Sequence, residues 1–411
     1  MNKSALIPLD TALEQLLSYI SGDRQCEWVS TFEADHRVLA EDVFSKIDVP
    51  GFDNSAMDGY AFNHADFLSN QGILKAGQRI PAGHFPDKLS KVHADRIFTG
   101  APVPQGADTV VMQEECEILE DGSIKIQSQP TAGQCIRFKG EDIALHSKVL
   151  ASGQRLDPAS LGLAASIGLS QLKVNARPKV ALFSTGDELV MPGDVEPEKM
   201  KPGAIFNSNR FFLKTLLLRL GCTVTDFGIL PDQLDKTREA FSQAAIDNDL
   251  ILTSGGVSVG EEDHVKPAIQ SLGKLDLWSL AIKPGKPFAY GQVLTPHKTT
   301  HFIGLPGNPV SSLITFLLLA KPFILKLQGA SELRASEFAM RADFTWPKAD
   351  KRREFLRVKR NSQGGLDLFP NQSSGVLTSA VWADGVVDNP PGNVIKSGDQ
   401  VQFISFSQWM S

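Results

Sequence analysis

Between Thr253 and Pro267 the chain reads TSGGVSVGEEDHVKP. Three hydroxyls and three glycines fill the first eight positions, and Glu261, Glu262 and Asp263 follow. A Gly-rich loop turns its backbone N–H groups into an anion-holding nest, and glycine lets a phosphate come close. Carboxylates repel the same anion. One arrangement uses both: Ser254, Gly255, Gly256 and Ser258 cradle a phosphate, and a carboxylate holds a divalent ion that bridges to it. Hard cations such as Mg²⁺ take one or two carboxylates together with phosphate oxygens. The competing reading is a Gly-rich turn with a solvated acidic helix start. No Lys follows the glycines, so this is not a Walker A loop.

Other short segments carry the same mixture. STGDEL places Gly186, Asp187 and Glu188 directly after an apolar run, where a helix cap with acids in its first turn is the plain alternative. ILPDQLDKT offers Asp232 after a Pro-broken strand, or simply a turn and cap. In IKPGKPFAYG, Lys283 and Lys286 flank a Pro-Gly turn and act as point charges toward oxyanions. GLPGNPVSS frames two turns with Pro306 and Pro309 and reaches Ser311 at a helix start, a good place for an anion. Rigid surface turns would explain either of these alone. GFDNSAMDGYAF gathers Asp53, Asn54, Ser55 and Asp58 beside Phe52, Met57 and Tyr60, which reads as a partly buried functional loop.

The elements that position these loops follow from periodicity. KVALFST, CTVTDFGIL and DLILTSGG read as strands, and SNRFFLKTLLLRLG and KTREAFSQAAIDN as helices between them. Strands alternating with helices mean βαβ units on a mostly parallel sheet, and ligands bind beyond the carboxyl ends of its strands. Residues 47–145 are short apolar runs cut by Gly and Pro, which predicts a β-rich domain. Thr11-x-x-Glu14 predicts a capping box opening a helix with Leu13, Leu16, Leu17 and Ile20 on one stripe. Asp157 and Pro158 predict the N-cap and first position of a second helix. Alternation after residue 330, as in EFLRVKR and DQVQFISF, predicts a last all-β domain.

Composition narrows the class. With 411 residues, 42% hydrophobic and 21% charged, the chain has material for two to four domains. Its net charge of −6 and lack of a long basic run argue against nucleic acid as a partner. Cys26, Cys116, Cys135 and Cys222 form no C-x-x-C pair and read as reduced thiols. The longest apolar run, Leu313–Ala320, is interrupted by Lys321 and Pro322, short of the ~18 residues of a membrane span. With no signal-peptide pattern at the start, the expectation is a soluble cytoplasmic protein without a membrane partner.

Assembled in order, DNSAMDGYA, IFTGAPVPQGADTVVMQE, GEDI, STGDEL, NSN, TSGGVSVGEED, KPGKPFAYG and GLPGNPVS closely resemble the molybdopterin molybdenumtransferase family, the molybdenum insertases. The gephyrin E-domain and plant insertase domains share the pattern. The resemblance implies an α/β multidomain chain: a central three-layer α/β molybdopterin-binding domain, a β-rich insert domain, a small linker domain and a C-terminal β-barrel. The expected layout is an N-terminal helix over residues 1–26, a linker domain from 27–46 and 146–176, the β-rich domain at 47–145, the α/β domain at 177–328 and the barrel at 329–411.

It also implies a homodimer whose active site lies between subunits, with adenylylated molybdopterin and molybdate as substrates, Mg²⁺ as cofactor and AMP released. An adenylyltransferase and molybdoenzyme chaperones are the implied protein partners. By resemblance, Asp58 and Thr99 belong to the active site, and Glu188 and Asp232 are pocket acids. Asp263, with Glu188, holds the metal. Lys283, Lys286 and Ser311 match residues near the molybdate site, and Pro306 and Pro309 are substrate-binding positions. Arg352, with Arg353 as its rival, and Ser373 or Ser374 match anion contacts from the last domain more loosely. One departure is SAVWADGVV, where Trp382 and Asp384 replace a small-residue stretch and a carboxylate near molybdate is unfavourable. Three other readings stand beside this one: an adenylyltransferase built on the same α/β domain, a competence/damage-type nucleotide pyrophosphatase of related fold, and a scaffold of the E-domain type.

Overall fold

The computed structural model describes residues 6–21, 24–257 and 264–410. Its centre is a six-stranded sheet in the order Thr223–Leu230, Lys179–Thr185, Leu250–Ser254, Thr299–Leu305, Pro287–Leu294 and Gly273–Ser279. The first four strands run parallel, and the last two pair antiparallel at one side. Successive side chains on a strand point to opposite faces. Val180, Leu182, Leu250, Leu252 and Ile303 accordingly enter one core, and Ala181, Phe183, Ile251 and Phe302 the other. Burial on both faces explains why these strands read as unbroken apolar runs.

Helices cover each face, which gives the three layers. Asn209–Arg219 contributes Leu213, Leu216 and Leu217 to the first core, and Leu234–Asp247 contributes Phe241, Ala244 and Ala245 to the second. Lys321 and Pro322 end the apolar run but do not end the helix. Helix runs from Pro309 to Leu327, passing through a wider π stretch at Phe316–Ala320. A π turn changes the hydrogen-bond partners just where proline lacks its N–H, so the chain continues. Lys321 lies buried in this helix and donates to the Trp409 carbonyl at 2.6 Å. The segment is apolar enough to cross a membrane, with mean hydropathy 1.8, but 83% of it is buried inside the fold, where it serves as a core helix.

The flanking parts are built on separate sheets. Thr109–Met112, Gly59–Phe62, His93–Ile97, Ile73–Ile80, Ile124–Ile126 and Cys116–Ile118 form the β-rich sheet. Cys26–Ser30 pairs with Gln171–Asn175, and Val43–Phe44 with Lys148–Leu150, so segments on both sides of the β-rich insert meet. At the C-terminus Arg353–Arg360, Gly365–Leu368, Phe338–Ala342, Gln400–Ser405 and Gly385–Asn389 pair in turn and close on the first strand, giving a five-stranded barrel. Helix Pro158–Ser166 starts as its sequence predicts, with the Asp157 carboxylate accepting from the Ser160 N–H at 2.7 Å. The first helix differs. It spans Leu9–Ser18 with Pro8 at the cap position, so Thr11 lies inside it and no side chain caps it. Burial of Leu9 together with Leu13 and Leu16 carries the helix start past the candidate capping box.

Burial pushes the Lys321 amine down to about 8 from its ordinary 10.5. A cation with a lowered folded pKa binds fewer protons folded than unfolded between those values, so its contribution to stability rises with pH across that window. Relative to Lys321→Met, the parent protein should gain about 1–3 kcal/mol between pH 7.5 and 10.5, read from urea midpoints. A constant difference would mean the amine titrates normally.

Candidate active site

Parallel register brings the strand ends into a row. Thr185 lies beside Leu230, Ser184 beside Ser254, and Ser254 beside Leu305. The loops that leave these ends surround a cavity of about 390 Å³. Of the residues singled out from sequence, Glu188, Ser254, Pro306, Pro309 and Ser311 line it, joined by Asn207 and Asn209.

The Gly255–Gly256 turn is glycine for steric reasons. Both residues have positive φ, 97° and 69°. A Cβ on Gly255 would sit 2.6 Å from the Thr185 hydroxyl, and one on Gly256 would sit 2.3 Å from a Val265 methyl. The Gly255 N–H already donates to the Leu305 carbonyl at 3.0 Å, so it serves the loop and is not a spare donor for phosphate. Ser258, Glu261, Glu262 and Asp263 lie outside the described residues. The Asn209 amide closes the cavity floor: its Nδ2 donates to the Ser254 hydroxyl at 2.8 Å and to the Gly307 carbonyl at 2.7 Å.

Two acidic loops also meet. The Asp187 carboxylate accepts from the Asp232 N–H at 3.3 Å, which leaves Glu188 as the acid on the cavity wall. Among the described residues no group of three His, Cys, Asp or Glu side chains gathers to hold a metal. A closed zinc-type site is therefore a poor match for them. One wall carboxylate with neighbouring hydroxyl oxygens suits a hard ion that completes its shell with water and phosphate, so the donor set fits Mg²⁺.

The cationic residues occupy a second cluster, beside the barrel. Strand Ile282–Lys283 pairs in parallel with Arg353–Glu354. Lys283 then reaches Glu354 at 2.9 Å and Asp350 at 3.5 Å. Arg352 forks onto Asp350 at 2.9 and 3.1 Å, and this pairing holds the Asp350 carboxyl far below the ordinary range. Two cations thus face two carboxylates. Arg353 pairs with Asp388 and with Asp10 of the first helix, joining that helix to the barrel. Lys286 is exposed and makes no ion pair among the described residues.

The barrel loop touches the sheet domain through backbone. The Ser374 carbonyl accepts from the Val310 N–H at 2.9 Å, so one donor at that helix start is already used, and the Ser373 carbonyl accepts from Arg357. Asp384 is turned toward Arg360, with its carboxylate 3.0 Å from the Arg360 N–H, while Trp382 packs on Phe369.

Asp58 and Thr99 meet in loops of the β-rich domain, just before strand Gly59–Phe62 and just after His93–Ile97, and do not line the cavity. One carboxylate oxygen of Asp58 accepts from the Thr99 N–H at 2.8 Å and its hydroxyl at 2.9 Å, and these bonds lower the Asp58 pKa. The next residue, Gly59, admits no side chain, because a Cβ would lie 1.7 Å from the Val111 carbonyl oxygen.

Sequence reasoning quoted Asn207 and Asn209 only inside the NSN motif and gave them no role. Their signal is two amides just ahead of an apolar helix, which also reads as an ordinary cap. Removing the Asp350 charge should change the cationic cluster from balanced to net positive. Asp350→Asn is expected to bind a tetrahedral dianion such as sulfate or molybdate several-fold more tightly in low-salt calorimetry. An unchanged affinity would mean that Lys283 and Arg352 do not receive anions.

Comparisons with known proteins match this layout along the chain. Residues 7–168 fit the MoeA N-terminal region (domain I and II), residues 181–326 a probable molybdopterin binding domain, and residues 339–406 the MoeA C-terminal region (domain IV). The molybdopterin molybdenumtransferase of Haemophilus influenzae is 40% identical over 387 residues, 93% of each chain. Two solved structures of the molybdopterin biosynthesis MoeA protein from Pyrococcus horikoshii cover 98% of this chain. One has a TM-score of 0.84 at 27% identity and covers all of that chain; the other has 0.75 at 31% and covers 99% of it. Matched from the first helix to the barrel, the chain belongs to the molybdopterin molybdenumtransferase (MoeA) family.

Proposed function

We propose that this chain is a transferase of molybdenum cofactor biosynthesis that inserts molybdenum from molybdate into adenylylated molybdopterin and releases AMP. The observation that carries the reading is the cavity at the strand ends, lined by Glu188, Ser254 and Ser311, with Lys283 and Arg352, each held by a carboxylate, beside the barrel. Its volume, about 390 Å³, lies in the range of small-molecule sites.

In this reading a pyrophosphate P–O bond breaks as an oxygen nucleophile bonds to phosphorus, and the protein supplies position and charge stabilisation. The Ser254 and Ser311 hydroxyls orient phosphate oxygens. Glu188, with Asp263, would hold Mg²⁺, which supplies charge neutralisation on the phosphates when bound. No protein nucleophile is invoked. Burial pushes the Cys222 thiol up to about 12 and the Cys116 thiol up to about 11, so neither is a thiolate at neutral pH.

The Asp58–Thr99 pair belongs to the site as a contribution from a second copy of the chain, since it does not line this copy's cavity. The assembly is then a homodimer with two shared sites.

The deciding experiment is a single-turnover reaction with adenylylated molybdopterin, Mg²⁺ and molybdate, following AMP and active cofactor. Molybdate-dependent AMP release with cofactor formation supports insertion. Adenylylation of molybdopterin from ATP without molybdate would make the chain the upstream enzyme. Glu188 makes no side-chain hydrogen bond among the described residues, so Glu188→Gln should fold normally. It should lose about two orders of magnitude in rate and need more Mg²⁺. Asp58→Asn and Glu188→Gln, each inactive alone, should regain about a quarter of parental activity when mixed as subunits, because half the dimers then carry one intact site. No recovery would place Asp58 outside a shared site.

A further inference from the structure

Strands Gly59–Phe62 and His93–Ile97 pair as far as Gly59 opposite Ile97, and there the ladder ends. Asp58 precedes the first strand, and Phe98 and Thr99 follow the second, so the Asp58–Thr99 pair lies just past the last rung. A side chain finishes the ladder at that point. Arg96 stands opposite Tyr60, one position in from the end. Its Nη1 donates to the Gly59 carbonyl at 2.9 Å and to the Ile97 carbonyl at 2.7 Å. Its Nη2 donates to the Gln113 side-chain carbonyl, on the chain leaving the third strand, Thr109–Met112. The Gln113 N–H in turn donates to the Asp58 carbonyl at 3.0 Å. One guanidinium thus ties together the ends of three neighbouring strands, and the segments beyond those ends carry Asp58, Thr99 and Gln113.

Charge alone does not explain the choice of residue. Arg79 stands beside Arg96 in register on the neighbouring strand. The guanidinium carbons of Arg79 and Arg96 lie 4.6 and 4.3 Å from the centre of the same Phe98 ring. Like charges placed side by side across strands cost stability, so positive charge is in surplus here. The two Thr99 hydrogen bonds, ahead of the Arg96 charge, lower the Asp58 pKa. What Arg96 adds is its fork: a planar group with several donors in fixed directions, which also lies against an aromatic ring. A Lys amine cannot reproduce that geometry.

We propose that Arg96 is a positioning residue for the Asp58–Thr99 pair, holding the two loops so that the Asp58 carboxylate and the Thr99 hydroxyl keep one arrangement in the free protein. It acts through these two residues. Its weight in turnover rests on the function proposed above, and the positioning itself does not.

Two measurements separate the claims. The first is residue-resolved hydrogen exchange on the unliganded protein. In Arg96→Lys the Thr99 amide, whose acceptor is the Asp58 carboxylate, should exchange about tenfold faster or more, because the loops are no longer held. The Val110 amide, bonded to the Gln134 carbonyl in the same domain, should stay within about twofold of the parent. The second is the single-turnover rate of AMP release. Arg96→Lys should lose about tenfold or more with its Mg²⁺ requirement unchanged, unlike Glu188→Gln. Mixed with Glu188→Gln subunits it should regain about a quarter of parental activity, and mixed with Asp58→Asn subunits none, since both lesions then fall in the same half of the site. Gln113→Leu, at an exposed position, keeps the test open if Arg96→Lys does not fold, with a smaller rise in Thr99 exchange of about threefold. Thr99 exchange unchanged in a folded variant, acceleration of Val110 together with Thr99, or recovery on mixing with Asp58→Asn would each overturn the positioning role. A parent protein without molybdate-dependent turnover would overturn the function proposed above, while the exchange result still decides the role of Arg96.

Discussion

A sheet with both faces covered leaves polar chemistry one place to gather, the edge where the parallel strands end. Val180 and Leu182 point into one core and Ala181 and Phe183 into the other, so no face of Lys179–Thr185 is left for a polar site. The functional loops must therefore leave from Thr185, Leu230, Ser254 and Leu305, whose register sets them in line. The single Asn209 side chain then ties the Ser254 loop to the Gly307 loop with two short hydrogen bonds. Such a brace holds the cavity's shape before any ligand arrives, and prior organisation of this kind is what lets fixed dipoles stabilise developing charge.

The electrostatics follow a second rule, that partly buried charges are paired. Of the cations expected to meet anions, Lys283, Arg352 and Arg353 each already face a carboxylate, while the exposed Lys286 makes no ion pair among the described residues. Glu354 is nearly fully buried and is held by Lys283, by the Trp346 indole N–H at 2.7 Å and by Asn389. It is the fixed member of the cluster. Asp350 is the exchangeable one, because its partners Arg352 and Lys283 are both partly exposed. An anion entering here competes with an internal carboxylate, which favours ligands with more charge or better fork geometry than Asp350 itself.

Much of the fold was legible because its signals are local and agree with one another. The Asp157-Pro158 pair caps a helix by its own side chain, and the apolar runs of the sheet follow from two-sided burial. The misreadings came from tertiary packing. Thr11-x-x-Glu14 has the pattern of a cap, but burial of Leu9 moved the helix start. Lys321 and Pro322 do end the apolar run, but nothing local says that the helix continues through them, which the π turn and the Trp409 carbonyl allow. Of the site, the strand-end loops were readable from Gly, Pro and acid spacing. The pairing of Arg352 with Asp350, and of Arg353 with Asp10 some 340 residues away in sequence, was not, because opposite charges carry no sign of their partners until the chain folds. Asn207 was hidden for the same reason: an amide ahead of a helix looks like a cap whether or not its other end is satisfied.

The connections between parts distinguish what is built as one body from what must be brought in. The barrel is joined to the sheet domain by the ladder from Ile282–Lys283 to Arg353–Glu354 and by the Val310 N–H on Ser374. One link lands on the short strand Ile282–Lys283 and the other on the start of the helix whose Pro309 lines the cavity, so the barrel and these elements share backbone hydrogen bonds. The β-rich sheet instead joins the rest through the short two-stranded ladders of the linker. Asp58 and Thr99 are fixed to each other by two bonds from one oxygen and to their sheet by the tight fit at Gly59, but not to the cavity. A pair so rigid and so separate is suited to act on a neighbour. In the function proposed above, where a second copy contributes this pair, the site would assemble from two preformed halves, with the ordering of each half already complete before they meet.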